Sequence, residues 1–472
     1  MLRSTEMEKT EFKELKKQLL STKKNGYDRP LDEAAMESYC NGYKAFLDAG
    51  KTERLCAAEV IRLAEGRGYR PYVRGMALKA GDRVYLSNRG KAVLLAHIGE
   101  RSLAEGVQIA AAHIDSPRLD LKPNPLYEEA ELAYFKTHYY GGIRKYQWVT
   151  IPLELHGVIA LRDGTNVPVN IGGGPGDPRL VITDLLPHLG AEQAKKPLAT
   201  AIPAETLNLL LGSRPIGDEE DSGRVKLAVM KLLHEKYGIT EDDFTSAELE
   251  AVPAGSACDI GLDRSMIGAY GHDDRVCAYA ALKALLDLER TPVRTAVCVL
   301  ADKEEIGSDG VTGMQSAAFD TFMEDLCETQ GVPVRSCFEK SFCLSADVTA
   351  AYDPDYADVY EKRNAAYLNY GVGLCKYTGA RGKSGASDAD AETVAYVRRI
   401  FDGAGVAWQI AELGKVDAGG GGTVAMYMAN RNITTLDAGV PVLSMHAPFE
   451  TVAKLDCYET YRGMKALYQA ED

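Results

Sequence analysis

Four apolar runs, far apart in the chain, each stop at a side chain that can bind a metal. Residues 107–112 lead into His113, 296–301 into Asp302 and the pair Glu304 and Glu305, 342–346 into Asp347, and 442–445 into His446. Runs this short and this apolar read as strands buried on both faces of a parallel sheet. In open α/β sheets, ligands collect at the carboxyl ends of the strands. The pattern therefore predicts one rim on which distant parts of the chain deliver imidazoles and carboxylates together.

The rest of the pattern surrounds that rim. Residues 1 to about 70 show apolar positions at helical spacing among Lys and Glu (Phe12, Leu15, Leu19, then Ala58, Ile61, Leu63). Strand-like segments follow at 84–86, 92–98 and 107–112. After Pro117 the character changes: 132–171 alternates and is rich in aromatic and β-branched residues, with strands at 148–155, 158–161 and 167–171. Consecutive strands without intervening helices imply antiparallel pairing. A GGGPGDP loop at 172–178 and an amphipathic helix at 223–237 close this region. From about 259 strands and helices alternate again, with helices from Asp273 or Asp274 to about Leu288, over 389–404, and at the end to about Tyr468. The expected fold is α/β, with a mostly parallel central sheet flanked by helices. Its catalytic domain would be discontinuous (1–119 and 259–472), and 120–258 would form an inserted β-rich domain.

Bulk properties narrow the function. A chain of 472 residues, 46% hydrophobic and 26% charged, has the balance of a globular protein with a sizeable core. Its net charge of −14 repels phosphate backbones, so no nucleic-acid partner is expected. No stretch reaches the roughly 18 apolar residues that span a bilayer, and MLRSTEMEKTEFKELKKQLL lacks the apolar centre of a signal peptide. The ten cysteines include no CxxC, which points to free thiols in a reducing compartment. A cytoplasmic location without membrane attachment is the expectation.

The chemistry is read segment by segment. In AAHIDSP, His113 is a metal-ligand type. Asp115, two residues on, shares its face on an extended chain and can accept the other ring N–H; the same spacing also occurs as a plain buried His–Asp pair. In HDDRVCAYAAL, an Asp before an apolar-periodic run is first an N-cap. A second Asp there is free to bridge two metals. Glu304 and Glu305 point to opposite faces if they lie on a strand. Only a loop or bulge at the strand end lets one bind metal while the other takes a proton from water. Asp347 and His446 complete a set with one His per metal, in which three carboxylates and a hydroxide neutralise two divalent ions. AGGGGT, with Gly420 and Gly421, is either a flexible loop or a place where backbone N–H groups meet a ligand. The set fits a two-metal hydrolase. A phosphoesterase would need cations at the site, for which Arg275 is the obvious candidate, and a non-catalytic assembly or cargo-binding protein with a relict site is the other alternative.

HIDSPRLDLKP, DDRVCAYAAL, EEIGS, SADVTAAYDP, DAGGGGT and LSMHAPFE resemble, in order and over nearly the whole chain, the M18 family of metallo-aminopeptidases. The glycine run resembles its bacterial aminopeptidase 1 branch. The resemblance implies hydrolysis of peptides from the N-terminus with two divalent ions, zinc in the first instance, with cobalt or manganese as alternatives. It implies His113, Asp273, Glu305, Asp347 and His446 as ligands with Asp273 bridging, Glu304 as general base, and Asp115 as the residue orienting His113. It further implies an inserted domain that forms dimers, assembled into a dodecamer. Family members place a histidine shortly after a Pro of the inserted domain, where it reaches a neighbouring subunit's site. Here Pro187 is followed by His188, and Glu192 stands where the later histidine is expected. Lys376, in GLCKYTG, is a candidate substrate contact.

Overall fold

In the computed structural model residues 9–471 are described; the predicted N-terminal helix begins in residues 1–8, which lie outside them. Among the described residues a nine-stranded sheet runs in the order Arg70–Pro71, Arg83–Asn88, Ala92–His97, Ala296–Ala301, Gln108–His113, Phe342–Ser345, Thr434–Gly439, Val372–Cys375 and Trp408–Ile410. Four central strands, from Ala296–Ala301 to Thr434–Gly439, are parallel. Their register sets Ala301 opposite His113, and Ser345 opposite both Ala111 and Asp437, so their carboxyl ends meet at one level.

The sheet as a whole is mixed, which corrects the expectation of a mostly parallel one. Ala92–His97 runs antiparallel to both neighbours, and so does Val372–Cys375 to Thr434–Gly439. The cause on the first side is a tight hairpin: Arg89 and Gly90 take φ of 56° and 68°. The four-residue turn Asn88–Lys91, closed by the Lys91 N–H on the Asn88 carbonyl at 3.1 Å, has that left-handed pair at its centre.

Alternation along the central strands feeds two cores. Leu95, Ala110, Ala112, Leu300 and Leu344 pack with helices Glu33–Ala49, Glu53–Glu65, His272–Leu286 and Lys454–Tyr468. Leu94, Ile109, Ala111, Val297 and Val299 pack with Ala318–Glu328 and Val334–Glu339 on the other face. Each fully buried Leu or Val contributes about 1.5–3 kcal/mol by leaving water. Helix Lys9–Leu19 forms, but Phe12, Leu15 and Leu19 on it are exposed rather than packed. No helix among the described residues is long and apolar enough to cross a membrane.

A second sheet has six antiparallel strands, in the order Asn166–Ile171, Leu153–Ala160, Ala247–Pro253, Arg118–Glu129, Leu132–Tyr140 and Leu209–Gly212. Helix Arg224–Tyr237 packs on it through Leu233. The predicted strands 148–155 and 158–161 are one strand, Leu153–Ala160, which runs straight through Gly157. A Cβ there would lie 1.9 Å from the Glu248 carbonyl oxygen, so glycine permits the close approach instead of ending the strand. Arg118–Glu129 went unpredicted because it carries two prolines; a register shift between Leu121 and Leu126 takes them up.

A third, five-stranded sheet joins Cys258–Ile260, Met266–Ala269, Glu450–Ala453, Pro441–Leu443 and Thr349–Ala350. It corrects the fourth predicted run. Thr434–Gly439 ends in the main sheet at Gly439, where a Cβ would lie 1.8 Å from the Asp347 carbonyl oxygen. The chain then passes into Pro441–Leu443 of the third sheet, so His446 reaches the rim from a different layer.

Candidate metal centre

His113 is the last residue of its central strand, and Asp347 lies two residues beyond Phe342–Ser345. After Ala296–Ala301, Lys303 takes φ of 68° and throws Glu304–Ile306 into a single 3-10 turn. That turn lets both glutamates face one space, as a strand could not. Gly271, Asp273 and Asp274 have non-helical backbone, so regular helix begins after the aspartates. Asp274 turns inward, its Oδ2 accepting the backbone N–H of His113 at 3.3 Å. His446 has φ of 66°.

The side chains converge on Asp273. His113 Nε2 lies 3.2 Å from its Oδ1 and His446 Nε2 3.1 Å from its Oδ2. His446 Nε2 is also 3.5 Å from Glu305 Oε2, and His113 Nε2 is 3.8 Å from Glu304 Oε2. Ligand atoms of His113, Asp273 and Glu305 fall within 4.8 Å of one another, as do those of His113, Glu304 and Asp347. Both Nδ1 atoms are engaged elsewhere. His113 Nδ1–H donates to Asp115, at 3.1 Å to its carbonyl and 3.2 Å to Oδ1. His446 Nδ1–H donates to the Gly142 carbonyl at 2.9 Å. A carbonyl cannot donate, so these bonds assign one proton to Nδ1 and turn each Nε2 inward to face Asp273; the carboxylates favour a second proton there, and its loss frees a lone pair for a cation.

The charges do not balance within the protein alone. Burial pushes Asp347 and Glu305 well above the carboxylate range, with Asp274 and Asp273 respectively as the next cause. Glu304 is pushed up to about 7 by burial, with Asp273 and Asp115 adding to it and His113 opposing it. Asp273 is itself buried, yet the two histidines hold it below its usual range. His113 and His446 resist the lowering effect of burial because carboxylates face them; His446 rises to about 10. Asp273 Oδ1 and Glu305 Oε1 are buried without a hydrogen-bond partner. Orphaned carboxylate oxygens, crowded acids and two inward-facing imidazole Nε2 atoms fit the donor set of a nitrogen- and oxygen-ligated divalent site.

These groups open on a cavity of about 310 Å³, lined also by Val348, Thr349, Cys375, Leu413, Asp437 and Met445. Gly420 and Gly421 line it; Lys376 does not and is exposed. His188 is exposed on a loop of the second sheet's layer, away from its own chain's cavity lining. Asp302 stays out of the cluster, accepting from Thr312 and from the backbone of Lys303. Arg275 is buried, with its guanidinium donating to the carbonyls of Ile114 and Lys51. No Lys or Arg lines the cavity among the described residues.

Three supporting residues escaped the sequence reading. Fully buried Glu450 accepts from the backbone N–H of His446 at 2.7 Å and of Asp273 at 3.1 Å, clamping the backbones of two cluster residues at once. Its signal was an acid four residues after His446 in HAPFE. Tyr140 donates to Asp115 Oδ2 at 2.7 Å, and Gly142 accepts from His446; both lie far from every motif in sequence.

The family model described as aminopeptidase I zinc metalloprotease (M18) matches residues 46–468. A protein of Clostridium acetobutylicum named probable M18 family aminopeptidase 1 is 49% identical over 458 residues, covering 95% of this chain and 98% of that protein. The crystal structure of an M18 family aminopeptidase from Thermotoga maritima superposes with a TM-score of 0.91 at 44% identity, covering 95% of this chain and 99% of that one. The S. cerevesiae mApe1 dodecamer shares the fold, with a TM-score of 0.75 at 18% identity over 92% of this chain and 98% of that one.

Proposed function

This chain belongs to the M18 family of zinc metallo-aminopeptidases, and from that premise we propose that its hydrolytic centre holds two divalent ions. His113, Asp273 and Asp347 would hold one; Asp273, Glu305 and His446 would hold the other. The observation that carries this reading is Asp273, whose two oxygens each face the Nε2 of a different histidine at 3.2 and 3.1 Å. Zinc is the expected ion, and cobalt or manganese suits the same donor set. When bound, the ions supply Lewis acidity toward the scissile carbonyl oxygen and make water nucleophilic near neutral pH.

The chain's own residues do the rest. Glu304, at the edge of the cluster, accepts the proton of the attacking water and returns it to the leaving amine. Asp115 fixes the tautomer of His113. A carboxylate of the cluster holds the α-amino group of the peptide, and Gly420 and Gly421 present backbone to it. The absence of Lys or Arg from the cavity lining among the described residues favours peptides over phosphoesters.

The same proposal extends to assembly. Dimers through the second sheet's layer, built into a dodecamer, would cover Leu185, Leu186, Leu189 and Leu198, all more than half exposed here. His188 lies among them and would approach a neighbouring copy in such a dimer. A cytoplasmic location is supported by ten free cysteines, nine of them buried.

The test is a panel of aminoacyl p-nitroanilides against p-nitrophenyl phosphate, each with zinc, cobalt and manganese. Release of p-nitroaniline with no phosphate ester cleavage is the expected result. Phosphatase activity, or metal bound without any hydrolysis, would overturn the reading.

A further inference from the structure

The strand Leu132–Tyr140 belongs to the second sheet, yet its end touches both halves of the metal centre. Tyr140 hydroxyl donates to Asp115 Oδ2 at 2.7 Å. Asp115 is fully buried and serves as a hub. Besides orienting His113, it accepts the backbone N–H groups of Glu304 and Glu305, each at 3.2 Å. Two residues further, the Gly142 carbonyl takes the Nδ1–H of His446 at 2.9 Å. Between them Gly141 has φ of 73°, and a Cβ there would lie 3.3 Å from the Glu305 side chain.

The segment is itself anchored. The Tyr140 ring lies under the Arg118 guanidinium at 3.8 Å. Arg118 is buried and paired with Glu53 at 3.4 Å, Asp120 at 2.8 Å and Glu250 at 3.3 Å. Glu53 comes from a helix of the main layer and Glu250 from the second sheet. The acidic group of Glu53, Glu248 and Glu250 already holds Arg118, Lys91 and Arg54 as its cations, so it reads as an inter-layer clasp rather than a second metal site.

We infer that Tyr140, Gly141 and Gly142 form a positioning element that presents both imidazoles to the metal pair, so that seating of the second sheet and metal affinity are one property. Tyr140 acts through Asp115 on His113 and on the turn carrying Glu304 and Glu305; Gly142 acts directly on His446. None of the three touches substrate atoms in this scheme. The inference rests on the ligand set proposed above.

The test uses full-length protein stripped of metal and titrated with zinc against a chelating dye. Tyr140→Phe removes one hydroxyl and keeps the ring under Arg118. Direct partners of metal ligands typically cost about 10–100-fold in metal affinity when lost; Tyr140 acts one bond further out, through Asp115, so a weakening of about tenfold, the lower end of that range, is expected here. At limiting zinc kcat should fall while KM for an aminoacyl substrate changes less than about twofold, and excess zinc should restore kcat. Gly142→Ala brings a Cβ to 3.2 Å from His446 Nδ1; it should weaken one of the two zinc equivalents and spare the other. If Tyr140→Phe does not fold, Gly142→Ala carries the same test. Wild-type zinc affinity in a folded variant, or a kcat loss that excess zinc does not restore, overturns the inference. Failure of the wild-type protein itself to bind two zinc ions would instead count against the proposed ligand set.

Discussion

Replacing Glu304 by Gln separates proton transfer from metal binding. The side chain is 18% exposed, at the mouth of the cluster, with Oε2 3.8 Å from His113 Nε2. Its backbone N–H bond to Asp115 survives the substitution. In the proposed ligand set, Asp273, Glu305 and Asp347 would already offset most of the charge of two divalent ions, so Glu304 would be surplus charge. The buried, crowded surroundings that push it up to about 7 also make its removal inexpensive: neutral Gln relieves repulsion from Asp273 and Asp115. Metal content should stay at two per chain, and the melting temperature of the metal-free protein should hold or rise. A positioned general base contributes about 10²–10⁴-fold, or roughly 3–5.5 kcal/mol of barrier. The expected outcome is kcat on leucyl p-nitroanilide down by that factor with KM nearly unchanged, read beside metal analysis of the same sample. A fully metallated variant that turns over at the wild-type rate would refute the role given to Glu304.

Asp273→Ala removes the carboxylate proposed to be shared and should take zinc content below one per chain, measured by elemental analysis after dialysis, with activity lost in parallel. Gly420→Ala forces a Cβ to within 2.0 Å of the Gly379 carbonyl oxygen at φ of 114°; kcat/KM should fall at least about tenfold with both metals retained. His97 is buried and lies near Arg83, and both hold its pKa down to about 4. It therefore stays neutral when folded while the unfolded chain takes up a proton below about 6.5. Stability is lost as pH falls from 6.5 toward 4, by about 1–2 kcal/mol at pH 5 after allowing for solvent screening. In His97→Gln the gap between melting temperatures at pH 7 and pH 5 should narrow, and an unchanged gap would remove His97 from the acid response. Leu186→Glu places a charge among the exposed leucines and should shift sedimentation toward smaller species.

Much of the centre was legible because strand ends are punctuated by polarity. Apolar runs ending in His113, Glu304, Glu305 and Asp347 are visible in one dimension, and the parallel register that aligns them follows from burial on both faces. His446 came to the right rim by a different route. Pro441 and the crowding of Gly439 against Asp347 move the chain to a third sheet, and no local pattern announces a change of sheet. The mixed main sheet was readable in part, since Asn88-Arg89-Gly90-Lys91 is a tight-turn sequence between alternating strands. Arg118–Glu129 hid behind two prolines, and Leu153–Ala160 behind Gly157. Helix Ala318–Glu328 had the period in Phe319, Phe322, Met323 and Leu326 and was passed over beside the stronger chemistry. Tyr140, Gly142 and Glu450 were missed for a deeper reason: their hydrogen bonds to Asp115, His446 and Asp273 join residues brought close only by the packing of layers.

The most direct measurement is anomalous diffraction at the zinc edge from crystals of the zinc-loaded protein. Two peaks about 3.5–4 Å apart, flanking the Asp273 carboxylate with His113 and Asp347 on one and His446 and Glu305 on the other, are the expected result. A single peak, or zinc held away from Asp273, would contradict the two-ion centre.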